Sequence, residues 1–245
     1  MVLKAVIFDF DGVIYPSPHF VYLSRKAYFK TLDVDFTKED FKKYLACGTP
    51  TFVEEMNKKY KLKVTISKMR EFTRPEYKKI IKNRYVQNPR IKELLLNLEI
   101  NKIKFGIASS NRGDVIVYDL KKLGLRDYFK VIVAYEDVTN HKPAPDVYLK
   151  VIKALKVHPR ECVGIEDGPE GIVGMKRAGI KAIGLLSEFT KEEDFKKVKA
   201  DLIIKSTRNL NIDIIKSLID TKIVIKNKKI EPKRKKTKKK WINYD

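Results

Sequence analysis

Cysteine is scarce. Cys47 and Cys162 are the only two in 245 residues, they stand far apart, and neither belongs to a Cys-x-x-Cys pattern. A disulfide framework and a paired-cysteine redox or zinc motif are therefore not on offer, and the two read as reduced, buried small residues of a cytosolic protein. Long apolar runs are missing too. Hydrophobic residues make up 43% of the chain, yet no stretch approaches the roughly 20 residues that cross a bilayer, so a soluble protein with no membrane span is expected. The amino terminus does not read as a secretory signal, because Lys4 leads into Asp9 and Asp11 rather than into an apolar core and cleavage site. Cytoplasmic location follows as the expectation.

Acidic residues are the third shortage: 31 Asp and Glu face 53 Lys and Arg, a formal net charge of +22. The distribution matters more than the total. Residues 222–245 hold eleven Lys or Arg and two acids, which leaves +13 spread over the first 221 residues. That remainder reads as a solvated basic surface. The run from Lys233 to Lys240 repels itself and is expected to be a flexible basic tail, able to contact a polyanion non-specifically or simply to keep the chain soluble. Trp241 and Tyr244 beside it could stack on bases or dock on the protein's own surface.

At this length the chain can hold one large domain, or a core with a smaller insert. Ala5 to Phe8 begins a buried-looking strand that stops at Asp9, Asp11 and Gly12. Side chains two apart on extended backbone share a side, so Asp9 and Asp11 can face one point at the strand's carboxyl end. Two carboxylates that close are costly unless a cation sits between them or one holds a proton. A hard divalent cation such as Mg²⁺, or a nucleophile with a general acid, answers that cost.

After Tyr15, Pro16, Ser17 and Pro18 the pattern turns helical, with Ser17 placed to cap the next helix. Four amphipathic stretches, near 19–32, 37–46, 51–60 and 67–85, predict an inserted helical bundle over 16–87. Thr37 to Asp40 and Ser67 to Glu71 read as helix starts, and Gly48, Thr49 and Pro50 as a sharp break between helices. A bundle inserted there overhangs Asp9 and Asp11 as a lid. From Asn88 onward helix and strand alternate: helices at 89–99, 113–123, up to 155, up to 178 and near 191–199; strands at 103–108, 131–134, 162–165, 181–185 and 202–204. That rhythm predicts an α/β core, 1–15 with 88–221, built as a Rossmann-like doubly wound parallel sheet. In such sheets ligands bind beyond the carboxyl ends of the strands. Reactive residues stand at four of those ends: Asp9 and Asp11, Ser109, Lys142, and Glu166 with Asp167.

Phosphoryl transfer needs an in-line nucleophile, positive charge on the equatorial oxygens and a proton for the leaving oxygen. Asp9 can be the nucleophile and Asp11 the acid and base. Mg²⁺ can be held by Asp9, the backbone carbonyl of Asp11, Asp167 and Glu166. Ser109 with neighbouring amides, and Lys142, can hold phosphate oxygens.

Phe8-Asp9-Phe10-Asp11-Gly12-Val13, Ala108-Ser109-Ser110-Asn111, the segment from His141 through Lys142 to Tyr148, and Gly164 through Glu166 and Asp167 to Gly171 together resemble the four motifs of the haloacid dehalogenase superfamily. The nearest branch is the one with beta-phosphoglucomutase and small sugar-phosphate phosphatases, and the resemblance covers roughly residues 1–220. It implies a Rossmann-like core with a helical cap, Mg²⁺, a small phosphorylated substrate, catalytic Asp9 and Asp11, phosphate binding by Ser109, Ser110, Asn111 and Lys142, and metal binding by Asp9, Asp11, Glu166 and Asp167. Asp11 argues against the dehalogenases, which lack that second carboxylate. A phosphonatase would want a Schiff-base lysine from the cap, and among so many lysines Lys26 and Lys30 carry no information.

There are departures from the family's pattern. Pro16, Ser17 and Pro18 replace the usual acidic cap entrance, and Thr51 stands where the mutases carry a basic residue for a second phosphate, with Arg74 as the alternative cap anchor. A phosphatase is the expected activity, with a mutase, or a nucleic-acid-associated protein on a hydrolase scaffold, as alternatives. His19 reads as surface, His141 as a loop-shaping residue, Arg112 as either a substrate contact or helix-start packing, and Gly168 and Gly171 as turn residues.

Overall fold

The computed structural model describes residues 1–82 and 84–219, without the side chains of residues 44 and 46–48. The basic run 233–240, Trp241 and Tyr244 lie outside the described residues, as does the side chain of Cys47. The Cys162 thiol is buried, which pushes it up to about 12.

Six strands form one parallel sheet: β1 (Ala5–Phe8), β2 (Lys104–Ala108), β3 (Ile132–Val133), β4 (Cys162–Glu166), β5 (Lys181–Leu185) and β6 (Leu202–Ile204), in the spatial order β3-β2-β1-β4-β5-β6. β1 is central, with Ala5 opposite Lys104 on one side and Cys162 on the other. All four of its residues are fully buried. Alternation then divides them. Val6 and Phe8 join a core with Leu94, Leu98, Ile116 and Ile215, from α4 (Ile91–Ile100), α5 (Gly113–Lys122) and α9 (Ile212–Ser217). Ala5 and Ile7 join a core with Tyr148, Val151, Met175 and Phe195 on the opposite face, from α6 (Asp146–Leu155), α7 (Pro169–Arg177) and α8 (Glu192–Lys197). The doubly wound core is thus as expected, although the short α9 was not anticipated.

The insert between β1 and β2 holds three long helices, α1 (Ser17–Lys30), α2 (Lys38–Tyr60) and α3 (Ile66–Ile81), where the sequence pattern suggests four. The expected break at Gly48 to Pro50 does not occur, and α2 runs through Pro50. Phe41 lies before the proline, and Phe52, Val53 and Met56 lie after it. All four are buried in one cap cluster with Phe29 and Phe36. Burial on both sides of Pro50 offsets the hydrogen bond it forfeits. Thr37 and Asp40 form the expected capping box, whereas α3 is capped by Thr65 rather than started at Ser67. Ser17 does not cap α1, and its hydroxyl is spent elsewhere.

The two chain crossings into the insert are tied together. Asn88 Nδ2 donates to the carbonyls of Gly12 (2.6 Å) and Val13 (2.9 Å), and the Tyr15 and Tyr85 rings stack 5.6 Å apart. Behind them Asp119 of α5 accepts from the Tyr85 hydroxyl, and burial, with the charge of Asp11, pushes its carboxyl from 3.8 up to about 6. Ionising Asp119 therefore costs folding energy. The cost is absent below its unfolded pKa and complete once pH has risen past about 6. Asp119→Asn is expected to be more stable than wild type at pH 8 by about 1–2 kcal/mol, after allowance for screening, with the gain vanishing towards pH 4. Thermal unfolding across that range measures it, and a gain independent of pH would refute the assignment.

Candidate active site

All four expected strand ends converge on the carboxyl edge of the sheet. β1 ends where the Asp9 N–H donates to the Ile165 carbonyl (2.9 Å), which pins Asp9 beside β4. The chain then turns through Gly12, whose φ of 82° is left-handed. A Cβ there would stand 1.8 Å from Asp167 Oδ2, so glycine is required both for the turn and for the approach of Asp167. Gly171, expected as a turn residue, lies instead inside α7, where it makes room for Glu166: a Cβ on it would stand 2.1 Å from the Glu166 carboxyl carbon.

Lys142 occupies the middle. Its side chain is 9% exposed, and its ammonium donates to Asp9 Oδ1 (2.6 Å) and Glu166 Oε2 (2.8 Å). Tyr148, in the first turn of α6, donates its hydroxyl to the same Glu166 oxygen (2.9 Å), and its ring lies 5.3 Å from the Lys142 nitrogen. Tyr148 was part of the motif in the sequence but carried no role there. Its position six residues after Lys142, on a buried helix face, is the signal that was available.

Asp11 is held differently. Ser17 Oγ donates to its Oδ1, and Asn111 Nδ2 donates to Oδ2 at 3.2 Å. Ser109, 2% exposed, accepts from the Asn111 N–H at 3.0 Å. Ser110 is exposed and lines a cavity of about 250 Å³ together with Asp9, Asp11, Lys142, Glu166 and Asp167. Other candidates lie elsewhere. Arg112 pairs with Asp114 on the surface, Arg74 and Thr51 are exposed and outside that cavity, and His141 stacks on Tyr135 with centroids 3.8 Å apart. His19 pairs with Glu188 instead of standing free on the surface.

Charge in the cavity is unbalanced. Burial and the charge of Glu166 outweigh Lys142 and hold the Asp9 carboxyl well above the usual carboxylate range. Burial, then Asp9 and Glu166, do the same to Asp167, and burial raises Asp11. Burial opposes the Lys142 charge, but Asp9 and Glu166 prevail and raise its pKa. Oxygens of Asp9, Glu166 and Asp167 lie within 4.8 Å of one another, an all-oxygen donor set with a deficit of positive charge. Such a set fits a hard divalent cation. Asp11's side chain is not in that group, being spent on Ser17 and Asn111.

The parallel sheet, the helical insert and the acidic pocket at the strand ends define the class as a doubly wound α/β protein with a cap over an acidic site. The chain belongs to the haloacid dehalogenase-like hydrolases, whose family profile matches residues 6–185. It is similar to a phosphorylated carbohydrates phosphatase of Thermotoga maritima, 26% identical over 215 residues that cover 86% of this chain and 98% of that one. A beta-phosphoglucomutase of Bacillus subtilis is 28% identical over 221 residues, covering 87% and 94%. The crystal structure of a beta-phosphoglucomutase from Clostridium difficile superposes with a TM-score of 0.72 at 27% identity, covering 89% of this chain and 98% of that one. Among the described residues no helix is long and apolar enough to cross a membrane.

Because Gly171 leaves the room that Glu166 fills, Gly171→Ala is expected to push Glu166 off Lys142 and Tyr148 and to lower hydrolytic turnover at least tenfold while the fold persists. Turnover and melting temperature, measured together, check this. Unchanged turnover would show that the Glu166 position is not needed.

Proposed function

We propose that the protein is a Mg²⁺-dependent phosphatase of a small phosphorylated metabolite, a sugar phosphate or similar compound, acting through an aspartyl phosphate on Asp9. In this reading residues 1–15 and 88–221 are the catalytic core and 16–87 the cap. The observation that carries it is the Asp9 carboxylate at the end of β1, 2.6 Å from the Lys142 ammonium. Asp9 attacks phosphorus, the ester oxygen departs, and Asp11 gives it a proton. Asp11 then takes a proton from water, the water attacks the acyl phosphate, and inorganic phosphate leaves with Asp9 restored. Ser17 and Asn111 orient Asp11 for both transfers. Lys142, Ser109, Ser110 and Asn111 bind the non-reacting phosphoryl oxygens. Asp9, the backbone carbonyl of Asp11, Glu166 and Asp167 would hold a Mg²⁺, which would supply the positive charge that the pocket lacks.

The similarity to two beta-phosphoglucomutases favours a second reading, a phosphosugar mutase. Thr51, exposed and outside the cavity, offers no charge for a second phosphate, which is why hydrolysis is preferred. The test is phosphate release from a panel of sugar phosphates, nucleotides and inorganic pyrophosphate. Release is expected to stop on chelation, to return with Mg²⁺, and to fall by about a thousandfold or more in Asp9→Asn, as for loss of a nucleophile. Undiminished release by Asp9→Asn would end the proposal, and isomerised rather than hydrolysed sugar phosphate would select the mutase.

A further inference from the structure

The segment after β5, residues 187–194, belongs to the core by sequence but sends its side chains into the cap. Phe189, 5% exposed, sits inside the cap's aromatic cluster, with its ring centroid 4.7 Å from Phe41 and 5.6 Å from Tyr22. Ion pairs flank it. Glu188 takes His19 of α1 and Lys38 of α2, the latter at 2.5 Å. Asp194 takes Lys42 of α2 at 2.6 Å and is itself fixed by the Lys191 N–H at 2.8 Å. Burial raises the Glu188 carboxyl, yet the bonds from His19 and Lys38 outweigh it and leave it below its usual value. Within the loop, Ser187 N–H donates to Thr190 Oγ1 (3.0 Å) and Phe189 N–H to Ser187 Oγ (3.2 Å). The segment is therefore shaped internally before it meets the cap.

The same residues wall the catalytic cavity. Phe189 and Thr190 from this segment, with Lys42 and Leu45 from α2, line the cavity that holds Asp9 and Lys142. A second cavity, of about 330 Å³, lies between the two chain crossings and the ends of β5 and β6, and Phe189 lines that one as well. Pro18 and Asp167 also border both, so Phe189 is one of three residues at which the two cavities adjoin, and it is the one anchored in the cap's aromatic cluster. At about 250 Å³, the catalytic cavity falls below the range of roughly 300–1,000 Å³ common for small-molecule sites.

We infer that residues 187–194 clamp the cap to the core and that Phe189 is a specificity-determining residue that limits the leaving group to a compact polar alcohol and excludes a nucleoside. This rests on the phosphatase reading above. Removing the ring takes away one wall of the catalytic cavity and frees the cap from its apolar anchor, whereas Leu keeps both the fill and the anchor.

The test compares kcat/KM for a hexose phosphate and for a nucleoside monophosphate in wild type, Phe189→Ala and Phe189→Leu. Wild type is expected to favour the hexose phosphate. Phe189→Ala should shift the ratio at least tenfold towards the nucleotide, and Phe189→Leu should leave it within threefold of wild type. An unshifted ratio in Phe189→Ala, or a wild type that prefers the nucleotide, overturns the inference. A second measurement needs no turnover: tryptic cleavage after Arg84 and Arg90, both exposed beside the returning crossing, should quicken at least fivefold in Phe189→Ala and in Glu188→Gln with Asp194→Asn. Unchanged cleavage overturns the clamp. If wild type releases phosphate from no compound, the phosphatase reading fails, and the cleavage rates decide the clamp alone.

Discussion

The ammonium of Lys142 is the contact on which the site depends. It is the positive charge between Asp9 and Glu166 at the ends of two adjacent central strands. Taking carboxylates out of water costs several kcal/mol each unless an opposite charge is close. Lys142 alone cannot answer for Asp9, Asp11, Glu166 and Asp167. Burial and mutual repulsion accordingly raise Asp9, Asp11 and Asp167 together. The fold tolerates this because the strands hold the acids in place: Asp9 is tied to β4 by its own N–H, and Gly12 and Gly171 leave room for Asp167 and Glu166. The unmet charge and the oxygen donor set of Asp9, Glu166 and Asp167 fit a hard divalent cation.

Much of this was legible in the sequence, because the chemistry sits at strand ends and strand ends are local features. Asp9, Asp11, Ser109, Glu166 and Asp167 each follow an apolar run, Lys142 stands in the loop that leads to α6, and a doubly wound sheet brings such places together. The strand order was not written in any local pattern. Ser17 was misread because the same hydroxyl, at the start of a helix, satisfies the sequence signature of a cap, and only the turn through Gly12 shows that it faces Asp11. The break expected at Pro50 failed for a tertiary reason, the aromatic packing on both sides of it.

What stayed hidden depends on contacts between distant segments. Phe189 reads as one more apolar residue of a core loop, yet it fills the cap's cluster beside Tyr22 and Phe41. Glu188 and Asp194 read as surface acids, yet each receives a lysine of α2. Asp119 reads as a polar residue of an amphipathic helix, yet it lies under the stacked tyrosines where the chain passes between core and cap. These residues do not take part in the chemistry. They set where the cap sits relative to Lys142 and the acids, and so how much space the substrate has.

The central claim is that Asp9 becomes covalently phosphorylated. The most direct measurement is acid quenching of the enzyme during turnover of a phosphorylated substrate, followed by mass spectrometry of the peptide that spans residues 5–25. The account predicts the mass of one phosphoryl group on Asp9, lost on treatment with hydroxylamine as an acyl phosphate should be. A phosphoryl group on any other residue, or incorporation that persists in Asp9→Asn, would contradict it.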